Sequence, residues 1–414
     1  MNSDVSSKQL VLELARSLHA CGSPAYELDL EMEQVSASLG HEASFFSTPT
    51  ALFVTFGGDD TRLIRVYPSD TNLGRYAALF ELQREIQENQ LNTPAAWQRL
   101  SEINAMSEGY GTVTQILSHG GVAACISVLV GGDIRTTLSA GVVGLMVGIL
   151  VTWLTAQRHQ VHLINVAAGF LASSVACSIQ AYSGTGNFEI TSLAALILLV
   201  PGLHLTISIN ELATQNLASG SARFSGAMTT LLTIVFGVSM GYGLVDALIP
   251  IPPSVQLDSP DWFASSLVLV PIGLCVAVTF RTRYRDIPWL LASTLLGYGV
   301  LRLAGTVFGP FASVGIAAFV TGVTSHHASA RLGLPTAVML LPALLLLVPG
   351  SLGFSGLSQI MLKEDLPSGI HLTATMMLTA VSIVAGLLLT DVVVSRSDKQ
   401  SLESPTTNAS ESSD

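Results

Sequence analysis

The chain has 414 residues, is 49% hydrophobic and 11% charged, and carries a net charge of −11 with a mean hydropathy of +0.55. A water-soluble protein of this size could not hide that much apolar surface in one core, so most of the chain belongs in a bilayer. The acidic balance excludes nucleic acid as a partner, and the four cysteines, Cys21, Cys125, Cys177 and Cys275, are too far apart for a Cys-rich metal or redox centre and read as small buried hydrophobes.

Met1 to Ala20 lacks a basic region followed by an apolar core and a small-residue cleavage site, so no cleaved leader is expected. Residues 1–110 hold 15 acidic and 7 basic side chains and read as a small α+β domain. Leu10, Leu14 and Leu18 repeat at helical spacing, and a second helix is expected with Ser23 as its cap, Pro24 in its first turn, and Leu28, Met32, Val35 and Leu39 on its apolar stripe. Three β-prone runs follow at Glu42–Ser47, Ala51–Phe56 and Thr61–Tyr67, the last two joined by the hairpin residues Gly57-Gly58-Asp59-Asp60. Helices over Leu73–Glu88 and Pro94–Met106 complete the domain.

Residues 111–395 carry ten apolar segments long enough to cross a bilayer, near 112–130, 136–156, 161–181, 190–210, 225–248, 262–280, 287–305, 308–327, 335–357 and 371–394. With the front domain in the cytosol, inward connections hold Arg158, Arg223, Arg281, Arg283, Arg285 and Arg331, and the C-terminal flank adds Arg396 and Lys399. Outward connections hold only Arg135 and Lys363, a bias that places both termini in the cytosol. A first five-span half then covers 111–248, a second 249–395, and residues 396–414 form a polar, serine-rich, disordered tail.

Leu-Leu-Val-Pro-Gly occurs twice, at Leu198–Gly202 and Leu346–Gly350, each time inside an apolar segment. Proline removes a backbone donor and clashes with the preceding turn, so a Pro-Gly pair at membrane depth is tolerated where protein or a water-filled cavity satisfies the freed groups. Five spans separate the two copies, an odd number, so segments four and nine run in opposite senses. That is the inverted-repeat pattern of secondary transporters, with half-helix ends meeting near the midplane.

Beyond the first break, His204, Thr206, Ser208, Asn210 and Glu211 are polar groups that hydrocarbon cannot solvate. His204 with Ser208, and Thr206 with Asn210, are four apart and share a face. The candidate substrate site is therefore Pro201, Gly202, His204, Thr206, Ser208, Asn210, Pro349 and Gly350, with recognition in the first copy and flexibility in the second. His119 beside Gly120-Gly121, and Glu211, are candidate proton relays; Arg302 is a candidate clamp for a carboxylate. Gly237-Val238-Ser239-Met240-Gly241 fits the nucleophile pattern G-x-S-x-G, yet it lies within a span and reads as a helix-packing face, like Gly144 and Gly148. No nucleotide loop, metal motif or cofactor fingerprint is present, which leaves ion or proton coupling.

The chain resembles the threonine/serine exporter family. The resemblance rests on Cys21-Gly22-Ser23-Pro24-Ala25-Tyr26-Glu27, Ser47-Thr48-Pro49-Thr50-Ala51-Leu52-Phe53-Val54, Thr61-Arg62-Leu63-Ile64-Arg65-Val66, Asn72-Leu73-Gly74-Arg75 and both Leu-Val-Pro-Gly elements. It implies a prokaryotic-type inner-membrane exporter of threonine and serine, driven by protons, in the fused form with both membrane halves in one polypeptide; the front domain itself reads as a regulatory or gating module. Dicarboxylate export, known from related two-subunit members, is the alternative, and a homo-oligomer is compatible with either. Two rivals remain: an enzyme built on the front domain around His41, Asp59, Asp60, Arg62 and Arg65, and a channel or receptor.

Overall fold

The computed structural model describes residues 6–58, 60–66, 71–106, 109–157, 163–253, 262–347 and 350–403. In the front domain, the leucine periodicity produces α1 (Ser7–Ala20), whose Leu10, Leu14 and Leu18 are buried against Leu28, Met32 and Val35 of α2 (Ala25–Ser38). β1 (Ala43–Thr48), β2 (Ala51–Phe56) and β3 (Asp60–Arg65) form one antiparallel sheet in that order, pairing Phe46 with Phe53 and Phe53 with Leu63. Alternation in β2 buries Leu52, Val54 and Phe56 in the same core. Gly57 and Gly58 turn the chain at φ 60° and 90°, a left-handed pair that glycine adopts without a Cβ penalty.

α3 (Leu73–Gln87) and α4 (Thr93–Asn104) start where an asparagine side chain accepts the first free backbone donors: Asn72 from Arg75 and Asn92 from Ala95. α2 departs from expectation. Its first residue is Ala25, Pro24 supplies no side-chain cap, and Ser23 Oγ has no hydrogen-bond partner among the described residues.

The remainder is helical: α5 (Thr112–Leu129), α6 (Ile134–Ala156), α7 (Ile164–Ser183), α8 (Phe188–Leu196), α9 (Gly202–Ala213), α10 (Leu217–Asp246), α11 (Trp262–Leu267), α12 (Leu269–Thr279), α13 (Ile287–Leu332), α14 (Thr336–Leu347), α15 (Gly350–Lys363) and α16 (Leu366–Glu403). Among the described residues, eight helical stretches are long and apolar enough to cross a membrane. Ten segments are expected, and the difference has a physical cause at two places. The fourth segment is divided into α8 and α9, of 9 and 12 residues, each too short to be counted alone. Segments seven and eight lie in the single long helix α13, which is interrupted at Gly309 (φ 77°, ψ 175°) just before Pro310. α16 also runs on to Glu403, past the boundary expected at 395.

Each long helix shows one outward apolar stripe. On α6, Leu138, Val142, Ile149 and Trp153 are exposed, while Ala140, Val143, Gly144, Val147 and Gly148 face the protein. Such a surface is stable against lipid rather than water. Small residues set the closest helix pairs. A Cβ on Gly169, Gly237 or Gly241 would fall within 3.0 Å of the facing backbone carbonyl in the α7–α10 pair, and the same holds for Gly315 and Gly386 between α13 and α16. Gly237 and Gly241 are thus a packing face, as their place in a span suggests.

Candidate functional site

The first Pro-Gly break is built by the missing donor of Pro201. α8 closes at Leu196, Leu199 and Val200 fold their N–H groups back onto the Leu196 carbonyl at 2.8 and 3.1 Å, and Gly202 N–H reaches Val200 at 2.8 Å. Pro201, at φ −80° and ψ 40°, then starts α9 by accepting from Leu205 at 3.0 Å. At the second copy α14 ends at Leu347 and α15 begins at Gly350; Val348 and Pro349 lie outside the described residues.

Gly350, the last residue of the second copy, lies against the first break. A Cβ on Gly350 would lie 2.9 Å from Val200 Cγ1 and 3.2 Å from Gly202 Cα. Glu189, at the start of α8, pairs with Lys363, at the end of α15, at 2.8 Å. At the far end of α9, nearest the front domain, Glu211 is 0% exposed. It is gripped by Arg223 of α10 through two hydrogen bonds of 3.1 and 3.2 Å, by Ser219 Oγ at 3.1 Å and by the backbone N–H of Ala25 at 3.2 Å.

The structure distributes the remaining candidates unevenly. Thr206 and Ser208 are buried, and their hydroxyls donate within α9 to Gly202 O at 3.3 Å and Leu205 O at 2.7 Å. Asn210 is also buried, whereas His204 is exposed, so the helical spacing that places His204 and Ser208 on one face does not give them one environment. His119 lies where α5 crosses α6: its Nδ1 is 3.0 Å from Gln115 O, and a Cβ on Gly148 would meet its Cβ at 3.0 Å. Arg302 is exposed beside Leu303 and Val307, and it makes no ion pair among the described residues.

The groups behind the enzyme rival make local pairs on the front domain. Asp60 pairs with Arg62 at 2.7 Å and Lys8 at 3.6 Å on the surface. His41 Nε2 lies 2.5 Å from Ser7 Oγ, with no carboxylate orienting the ring. Asp59 lies outside the described residues. The described residues also contain no group of three or more His, Cys, Asp or Glu placed to hold a metal ion.

The front domain has its own buried polar seam between α2 and α3. Burial, with the neighbouring Glu27 adding to it, pushes the Glu31 carboxyl up to about 7, and burial with Glu31 and Glu27 nearby raises the Tyr76 phenol. His19, whose Nε2 is 2.7 Å from Thr48 O, is lowered by burial.

A family description, "Putative threonine/serine exporter", matches residues 9–245, and a second, "Threonine/Serine exporter, ThrE", matches residues 266–393. The chain belongs to the threonine/serine exporter family. A protein of Corynebacterium glutamicum named threonine/serine exporter is 24% identical over 340 residues, covering 79% of this chain and 68% of that protein. An uncharacterized protein of Schizosaccharomyces pombe is 26% identical over 377 residues, covering 85% of this chain and 49% of its own length. Pheromone-regulated membrane protein 10 of Candida albicans is 24% identical over 385 residues, covering 89% of this chain and 34% of its own. The chain thus spans about half or less of these fungal relatives. No solved structure matches it.

Residues outside the sequence-based site hold this member of the exporter family together at the helix ends remote from Pro201 and Gly350. Arg223, Ser219 and the Ala25 N–H around Glu211, and the Glu189–Lys363 pair, were not in the candidate list. One signal was readable: a carboxylate at the end of an apolar segment requires a partner, and Arg223 follows it by 12 positions.

Proposed function

We propose that the protein exports small hydroxy amino acids, threonine and serine, across a prokaryotic-type inner membrane, coupled to protons. The observation that carries the reading is the contact between the two copies of the repeated pentapeptide at Gly202 and Gly350, in a chain of the threonine/serine exporter family. Broken helices that meet place half-helix termini and unpaired carbonyls at one point, where a zwitterion finds complements for both of its charges.

In this reading α8 with α9, and α14 with α15, each make one interrupted crossing, and Gly309 separates two crossings within α13. Ten crossings in two inverted halves result, with both termini in the cytosol. The glycine-tight pairs α7–α10 and α13–α16 support the repeat, since they occupy equivalent places in the two halves. Pro201, Gly202, His204 and Gly350 line the substrate path. Thr206, Ser208 and Asn210 contribute when α9 turns its buried face toward it. His119 handles protons, and Arg302 sits on the lipid-facing side rather than clamping a substrate.

The test is uptake and efflux in proteoliposomes with labelled threonine, serine and succinate under an imposed pH gradient. Saturable counterflow of threonine or serine, with net efflux that depends on the gradient, supports the exporter. Selective succinate movement gives the dicarboxylate alternative, and non-saturable flux gives a channel.

A further inference from the structure

The helix α2 of the front domain is capped by a carboxylate from the membrane part. Its first N–H, on Ala25, donates to Glu211 Oε1 at 3.2 Å, and Glu211 is held from behind by Arg223 and Ser219. A buried carboxylate at the positive end of a helix gains both a charge-assisted hydrogen bond and the helix field.

The front domain is fixed a second time by α3. Leu73 and Gly74 donate their N–H groups to Phe280 O at 2.9 Å and Arg281 O at 3.2 Å, on the connection between α12 and α13. Glu81 accepts from Arg283 at 3.1 Å and pairs with Arg285, while Leu73 and Ala77 pack on Val338. These two anchor points belong to different halves: Glu211 closes the helix that follows the first break, and 280–286 lies in the second half. The front domain therefore ties the halves together at one end. Rearrangement of one half against the other is what alternating access requires.

Resting on the exporter reading, we propose that the front domain is a cytosolic latch across the two membrane halves, and that transport requires the Ala25 N–H to leave Glu211. The bond can be deleted. Ala25 is the first helical residue, where proline is tolerated, and Pro24 at φ −59° and ψ 145° already has the conformation that a following proline demands. Ala25→Pro removes the donor, and its ring, standing where the N–H met Glu211, also pushes the carboxylate away at a position only 3% exposed.

The experiment uses the full chain in proteoliposomes, with hydrogen exchange of the segment 71–76 and efflux of threonine, serine and succinate measured on the same preparation. Ala25→Pro is expected to speed exchange at 71–76 by about tenfold, the scale of one lost hydrogen bond to a charged group, and to raise efflux. Gly74→Ala is the second variant, for its Cβ would stand 2.6 Å from the Arg281 carbonyl, and it should produce the same pair of changes from the other anchor. Unaltered exchange at 71–76 in folded Ala25→Pro and Gly74→Ala overturns the latch. So does faster exchange accompanied by unaltered or slower efflux. A wild-type protein that moves none of the three substrates overturns the exporter reading and the gate with it, while the exchange data still report whether the docking exists.

Discussion

Gly350 stands against Gly202, with Val200 beside it, so that a side chain at the start of α15 would crowd the start of α9. The contact joins two elements 148 residues apart that carry the same five-residue sequence. A close approach at the point where the chain passes Pro201 makes the first break depend on what stands at Gly350.

Gly350→Ala should therefore act on the first break. Overpacking at a tight contact costs about 1–3 kcal/mol, and if that strain falls on one of the two transport states it slows efflux by roughly tenfold to a hundredfold. Gly202→Leu is expected to abolish efflux. Both variants should still insert in the membrane, and labelled threonine efflux is normalised to the inserted amount by quantitative blotting; wild-type efflux per molecule from either would remove these glycines from the transport path.

The Glu189–Lys363 pair should matter less than its position suggests. Its side chains are 32% and 48% exposed, and such pairs contribute about 0–1 kcal/mol. Lys363→Glu should lower efflux by no more than a few-fold, and Glu189→Lys combined with it should restore the loss. A double-mutant cycle on efflux rates, repeated at high salt, measures the coupling, which should shrink as salt rises.

Glu31 gives the front domain a pH-dependent stability. Its carboxyl titrates at about 7 in the folded protein, against 4.5 in an unperturbed side chain, so the folded state binds the proton more tightly than the unfolded state. The associated stability is complete below pH 4.5 and is lost as pH rises through about 7. At about 1.36 kcal/mol per unit the loss is on the order of 3 kcal/mol. Glu31→Gln should flatten this dependence and stabilise α2 above neutral pH, read from hydrogen exchange of its amides between pH 6 and 8 after correction for the intrinsic rates.

Several of these features were legible in the sequence because local chemistry decides them. Leu10, Leu14 and Leu18 fix the buried face of α1, Asn72 marks the start of α3, and Pro201 lacks the N–H that would bond back into α8. Tertiary choices were not legible. Ser23 has the chemistry of a cap, but the donor it would serve is taken by Glu211 from 186 positions away. Thr206 and Ser208 have the chemistry of ligands, but a hydroxyl in an apolar helix can also bond its own backbone, as both do here. Spacing reveals which residues share a face and leaves open what that face meets.

Gly237 and Ser239 separate the packing reading of the G-x-S-x-G segment from a nucleophilic one. A methyl on Gly237 would clash with backbone atoms of α7, which cannot yield as a side-chain end can. Gly237→Ala should lower the abundance of folded protein, at a cost of about 1–3 kcal/mol. Ser239→Ala should stay within about 0.5 kcal/mol of wild type in stability and keep full transport. Thermal unfolding in detergent and efflux in vesicles check both, and loss of activity in a stable Ser239→Ala protein would return the serine to chemistry.

His119 tests the coupling. It sits between α5 and α6 with its Nδ1 at the Gln115 carbonyl, and glutamine at this position keeps a polar side chain that cannot carry a proton at neutral pH. If the imidazole moves protons, His119→Gln should retain threonine counterflow, which needs no net proton movement, while efflux driven by an imposed pH gradient falls to the rate seen without one. Loss of both activities would instead make His119 a packing residue, consistent with its close fit against Gly148. Retention of both would place the proton path elsewhere in the bundle. Measuring counterflow and gradient-driven efflux on the same vesicles separates the three, because only uncoupling changes one rate and leaves the other.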